Sequence, residues 1–153
     1  MRRIATVADE RVVYADSSAL VKLVVDEPES AALKEYLRQA PAQLASSRVA
    51  RVEVARAVRV ASPSLAVQAD ARALLEDIVL APIGEVIIGA ACQLASAALR
   101  TLDAIHLATL QLVHPDEAVI YDRRLADAAR ELGYPTVAPG AATEARRGGR
   151  RGP

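Results

Sequence analysis

The chain has 153 residues, 52% of them hydrophobic, yet no Phe, no Trp and only four Tyr, so a single domain's core must come from Ala, Val, Leu and Ile, and aromatic stacking is excluded as a main route to nucleic-acid bases. Nineteen basic and nineteen acidic residues balance, but the stretch from Ala141 carries four Arg and one Glu, which leaves residues 1–140 mildly acidic at −3. One cysteine excludes an internal disulfide, and the longest uncharged apolar stretch, residues 86–99, is shorter than the roughly 18 residues that a membrane span requires.

Residues 1–11 open on Met1-Arg2-Arg3 with no apolar run before Asp9, Glu10 and Arg11, so no secretory signal is expected and the segment reads as a loose arm. Val12-Val13-Tyr14-Ala15 is β-branched and aromatic, and ends at Asp16. Ser17-Ser18 and then Ala19, Leu20, Val21, Leu23 and Val24 make a helix for which Asp16 is a good N-cap. That helix ends near Asp26-Glu27-Pro28, and a second runs from Glu29 to Gln39 before Ala40-Pro41. Residues 43–46 suit a short strand, with Ser46 or Ser47 capping a helix over 48–61. Ser62-Pro63-Ser64 separates it from a helix over 65–77. Ile78 to Ile83 predicts a third strand, which Pro82 consigns to an edge or an end. Residues 85–98 and 101–113 are helical in pattern. Cys92 falls in the first of these, apolar enough to predict a buried, inert thiol, as suits a reducing cytoplasm. Val119-Ile120-Tyr121 is a strand ending at Asp122, residues 123–132 form a helix closed by Gly133, and Thr136-Val137 closes the sheet.

Strands alternating with helices predict an α/β fold with a short, mostly parallel central sheet flanked by helices. In such a sheet the strands' C-terminal ends open on the ligand crevice, and Asp16 and Asp122 both stand at strand ends. Two further acids join them. Glu53 is the one acid in an Arg- and Val-rich helix, where pairing with Arg56 is the plain alternative, worth about 0.3 kcal/mol. Asp103 opens a helix otherwise apolar almost all round, where it also complements the macrodipole. Four converging carboxylates repel at about 3 kcal/mol per pair at 5 Å and an effective dielectric near 20, so a cluster requires cations. An all-oxygen donor set favours Mg²⁺ or Mn²⁺ over Zn²⁺.

Four stretches carry a resemblance: Tyr14-Ala15-Asp16-Ser17-Ser18-Ala19-Leu20-Val21-Lys22, Val52-Glu53-Val54-Ala55-Arg56-Ala57, Leu102-Asp103-Ala104-Ile105-His106-Leu107-Ala108-Thr109 and Tyr121-Asp122-Arg123-Arg124-Leu125-Ala126-Asp127-Ala128-Ala129. In this order they closely resemble PIN-domain proteins, in particular the VapC toxins of bacterial toxin–antitoxin pairs, over roughly residues 12–138. The resemblance implies a three-layer α/β/α PIN-like fold and a Mg²⁺-dependent endoribonuclease, for which the oxygen donor set leaves Mn²⁺ as a substitute. It implies that Asp16, Glu53, Asp103 and Asp122 form the acidic metal-binding cluster, and that RNA is the substrate. A homodimer and a cognate antitoxin are implied too. The chain then divides into an arm (1–11), the PIN domain (12–140) and a disordered Arg/Gly tail (141–153).

Ser17 is a possible accessory group, hydrogen-bonding a water or phosphate, or else a helix-capping residue. His106 reads as a satisfied core histidine. Arg48, Arg51, Arg56 and Arg59 share one helix face and suit an RNA backbone or a partner protein; Arg146, Arg147, Arg150 and Arg151 suit a solvated tail. A haloacid-dehalogenase-type phosphatase would need a second Asp where Ser18 stands. Gly84 and Gly89 have P-loop spacing but lack the following Lys. The remaining rival is a catalytically silent PIN-like interaction module.

Overall fold

The computed structural model describes residues 10–142. The arm up to Asp9 and the tail from Thr143, with its four arginines, lie outside the described residues. Five strands, β1 (Val12–Ala15), β2 (Gln43–Ser47), β3 (Val79–Ala81), β4 (Glu117–Val119) and β5 (Thr136–Val137), form one sheet in the order β3-β2-β1-β4-β5. Every pairing is parallel. The chain steps outward from β1 to β3, then returns to the other side of β1. The crevice at the strands' C-terminal ends therefore opens between β1 and β4.

Seven helices are described: α1 (Ser17–Val24), α2 (Ser30–Gln39), α3 (Ala50–Ala61), α4 (Leu65–Asp77), α5 (Glu85–Gln93), α6 (Thr101–Val113) and α7 (Arg123–Glu131). The pleat of β1 divides the core, because alternate side chains face opposite layers. Val13 and Ala15 join Leu20, Leu33, Val54, Val58 and Leu75, the layer of α1 to α4. Tyr14 joins Leu107, Leu110, Ala118, Ile120 and Leu125, the layer of α6 and α7, with α5 packed on α6. The three-layer α/β/α expectation is borne out. No helix among the described residues is long and apolar enough to cross a membrane.

Several local expectations are corrected. Ser46, fully buried between strands, donates through Oγ to Ala15 O at 2.6 Å and so ties β2 to β1 instead of capping a helix. Ser47 Oγ reaches only Val49 N, at 3.4 Å, and α3 begins at Ala50, which leaves Arg48 before the helix. β3 is confined to 79–81, an edge strand that stops before Pro82. β4 lies two residues earlier than predicted, since Val13 pairs with Glu117 and Ala15 with Val119. α5 ends at Gln93, and Leu94 and Leu99 fold back onto the α6–α7 layer. Because α5 buries Ile87 alone, Cys92 is exposed. Arg11 is no part of a loose arm: it donates to Ala40 O at 2.8 Å and pairs with Glu117 at 2.6 Å, while Tyr36 donates to the same Glu117 oxygen.

Candidate active site

The site grows from the end of β1. Asp16 N–H donates to Val119 O at 3.1 Å, which clamps the residue at the crevice between β1 and β4. Its Oδ1 accepts from Ala19 N and from Ser18 Oγ, each at 2.8 Å, and its Oδ2 accepts a longer bond, 3.3 Å, from Tyr121 N. Asp16 thus caps α1 and faces the crevice at once. Only 4% of it is exposed. Burial pushes its carboxyl above the usual carboxylate range, and Ala19 N, Ser18, the nearby His106 and Tyr121 N only partly oppose that.

Glu53 sits in the first turn of α3, directly after β2. It turns to His106 rather than to Arg56, which stays exposed: His106 Nε2 lies 2.6 Å from Oε2, and Ser17 Oγ donates to the same oxygen. Burial works to raise Glu53, but His106 and Ser17 outweigh it and hold the carboxyl below its ordinary value. Ser17 is therefore neither a cap nor directed to solvent; it braces Glu53. His106 is buried and satisfied, as a core histidine would be, yet its partners belong to the site: Tyr14 Oη is 2.7 Å from Nδ1 and Ser17 Oγ 3.2 Å from Nε2. The signal in the sequence was its spacing, one turn after Asp103 and so on the same helical face.

Asp103 lies in the first turn of α6, half-buried, and accepts Arg100 N–H at 3.0 Å. A helix leading back into a parallel strand begins at the edge where the strands end, so Asp103 belongs to the crevice side of the sheet. Asp122 caps α7 by accepting Leu125 N–H at 3.0 Å, and its side chain is 39% exposed. Asp103 thus stands in the first turn of its helix as expected, and Asp122, at its expected place before α7, also caps that helix. Asp16 and Glu53 are connected through Ser17 and His106, and Asp122 follows the residue that holds Asp16. Among the described residues, however, no three His, Cys, Asp or Glu side chains stand close enough to enclose a metal ion. The acids come to one sheet edge from four segments without forming a closed chelate. Their chemistry fits a hard divalent cation: the donors are oxygens, and burial makes Asp16 the carboxyl for which a nearby cation would offset the most desolvation.

A model of the PIN domain matches residues 13–131. The chain belongs to the PIN-domain family. Its relatives include ribonuclease VapC46 of Mycobacterium tuberculosis, 45% identical over 129 residues, 83% of this chain and 97% of that protein. The fold of this PIN domain is that of M. tuberculosis VapC20, described as a Sarcin-Ricin loop cleaving toxin, with a TM-score of 0.66 at 15% identity over 83% of this chain and 99% of that one. A chain of a toxin-antitoxin complex from Klebsiella pneumoniae matches with a TM-score of 0.58 at 24% identity, over 72% of this chain and 86% of the other. The VapC-type reading of the sequence is borne out.

Proposed function

We propose that this VapC-type PIN domain is a divalent-metal-dependent endoribonuclease, the toxin of a toxin–antitoxin pair, which hydrolyses RNA phosphodiester bonds with an activated water. The observation that carries the reading is the buried Asp16 at the β1–β4 crevice, flanked by a hydrogen-bonded Glu53, in a chain 45% identical to a named ribonuclease. Mg²⁺, with Mn²⁺ as substitute, would supply Lewis acidity that eases deprotonation of water and offsets charge on the leaving oxygen. Asp16, Glu53, Asp103 and Asp122 are the residues that would hold it. Asp16 provides the buried, clamped anchor. Glu53, kept ionised by Ser17 and His106, provides a carboxylate ready for a cation. Asp103 and Asp122 add charge from the starts of α6 and α7. No side chain is needed as the nucleophile.

Residues 12–140 form the catalytic unit in this reading, working as a cytoplasmic homodimer under the control of a cognate antitoxin. The exposed Arg51, Arg56 and Arg59 on α3, with Arg48 just before it, would attract the RNA backbone. A silent interaction module has less support, because nothing in the acidic set is missing. Purified protein is expected to cut structured RNA with Mg²⁺ or Mn²⁺ and to stop in EDTA. Equal cleavage in both conditions would refute the reading.

The tail beyond Ala141 carries no acid needed by this site. A chain ending at Ala141 is expected to keep its turnover and to lose only salt-sensitive RNA affinity, measured as KM at two ionic strengths. A collapse of turnover at saturating RNA would place the tail in the site.

A further inference from the structure

We infer that His106 is a positioning residue whose Nε2–H, fixed by the Tyr14 hydroxyl on the opposite ring nitrogen, aims the Glu53 carboxylate into the crevice. This inference rests on the ribonuclease reading above and names a part of the site that the four acids leave out. The geometry is an unbroken path through three layers of the fold. Tyr14 lies on β1, the central strand, with none of its surface exposed. Its hydroxyl is 2.7 Å from His106 Nδ1 on α6, and the other ring nitrogen is 2.6 Å from Glu53 Oε2 on α3. The phenol and imidazole rings meet edge to face, 83° apart with centroids at 6.1 Å, so neither ring turns without breaking the packing.

The proton order follows from the partners. The Tyr14 hydroxyl is buried, and a phenol keeps its proton at neutral pH. A protonated phenol facing Nδ1 donates to it, and that leaves Nε2 as the ring nitrogen that carries hydrogen. Glu53 Oε2, 2.6 Å from Nε2, is the acceptor. Ser17 Oγ donates to the same Oε2, so donors from α1 and α6 meet at one carboxylate oxygen, and in this inference Oε1 is the atom left for the crevice. The arrangement is the one by which an outer hydrogen-bonding partner fixes a ligand carboxylate, and loss of such partners costs about 10–100-fold in activity or metal affinity.

Three variants and one spectrum decide it. His106→Ala is expected to lower kcat by about 10–100-fold with KM for RNA within about twofold, and Tyr14→Phe by up to about tenfold. His106→Gln, whose amide N–H can reach Oε2, is expected to recover most of the loss. Nitrogen-15 NMR of the metal-free wild type at mildly alkaline pH should show His106 with a pyrrole-type Nε2 and a pyridine-type Nδ1, and Tyr14→Phe should mix the two tautomers. If His106→Ala does not fold, Tyr14→Phe and the spectrum carry the test. A proton on Nδ1 in the wild type, or kcat unchanged in the variants, overturns the inference. Failure of the wild type to cut RNA with Mg²⁺ overturns the ribonuclease reading instead, and the tautomer measurement still stands on the metal-free protein.

Discussion

Asp16→Asn is expected to lower RNA cleavage by roughly 10³-fold while raising the melting temperature of the metal-free protein at neutral pH. The first effect follows from the charge that anchors the site: a cation's share of transition-state stabilisation is several kcal/mol, and each ~1.4 kcal/mol is a factor of ten. The second follows from burial, which lifts the Asp16 pKa above its unfolded value. The folded protein then binds the proton more tightly than the unfolded chain. Stability is gained as pH falls through the raised pKa toward the unfolded value, and is lost as pH rises back through that window. Asparagine removes the buried charge and keeps an oxygen for Ala19 N, at the expense of the already long bond from Tyr121 N. In the wild type, Mg²⁺ at a hundred times its Kd should add about 2.7 kcal/mol, a rise of roughly 5 to 10 °C. The variant should gain almost nothing. Melting curves of both proteins in EDTA and in excess Mg²⁺, alongside cleavage rates, test all of this. A variant that melts lower without metal, beside a wild type indifferent to Mg²⁺, would leave Asp16 as a helix cap only.

Leu20→Ala is expected to cost about 3 kcal/mol, roughly 6 to 12 °C in melting temperature. Leu20 is wholly buried, in the cluster that also holds Val54, Val58 and Leu75, so its truncation leaves a cavity beneath α1. Its N–H also closes the first turn of that helix onto Asp16 O at 3.1 Å. Val60→Ala is the control: at 90% exposure it should change stability by no more than about 0.5 kcal/mol. Calorimetry on the two variants separates the outcomes, and equal melting points would contradict the described core.

The sequence was most informative where one residue's neighbours along the chain decide its setting. Asp16 and Asp122 each follow a strand and precede a helix, and the structure makes both of them N-caps at one sheet edge. Positions that depend on distant partners were misjudged. Ser46 has the chemistry of a cap, but pairing of β2 with β1 buries it against Ala15 O. Ile120 and Tyr121 continue an apolar run, yet the register leaves them beyond β4: Ile120 enters the α6–α7 core and Tyr121 meets Lys22 at 4.8 Å and Pro139 O at 2.8 Å. Cys92 shares an apolar helix, but α6 covers only one side of it. His106 and Ser17 show the same limit. Their partner Glu53 is 53 and 36 positions away, and no local pattern brings these residues together.

The bond from Tyr121 N to Asp16 joins residues 105 positions apart, and Val119 O secures the same aspartate from the last long segment of the chain to be made. Contacts of that span form late, because the intervening chain must first be ordered. During synthesis, therefore, Asp16 emerges early with its helix cap but without the groups that fix its second oxygen, and Asp122 does not yet exist. In the proposed function, a growing polypeptide carries the first acid of the site and no site. In the same reading, RNA cleavage can begin only when β4 docks beside β1, so the chain stays inert toward RNA until its C-terminal segments have been made.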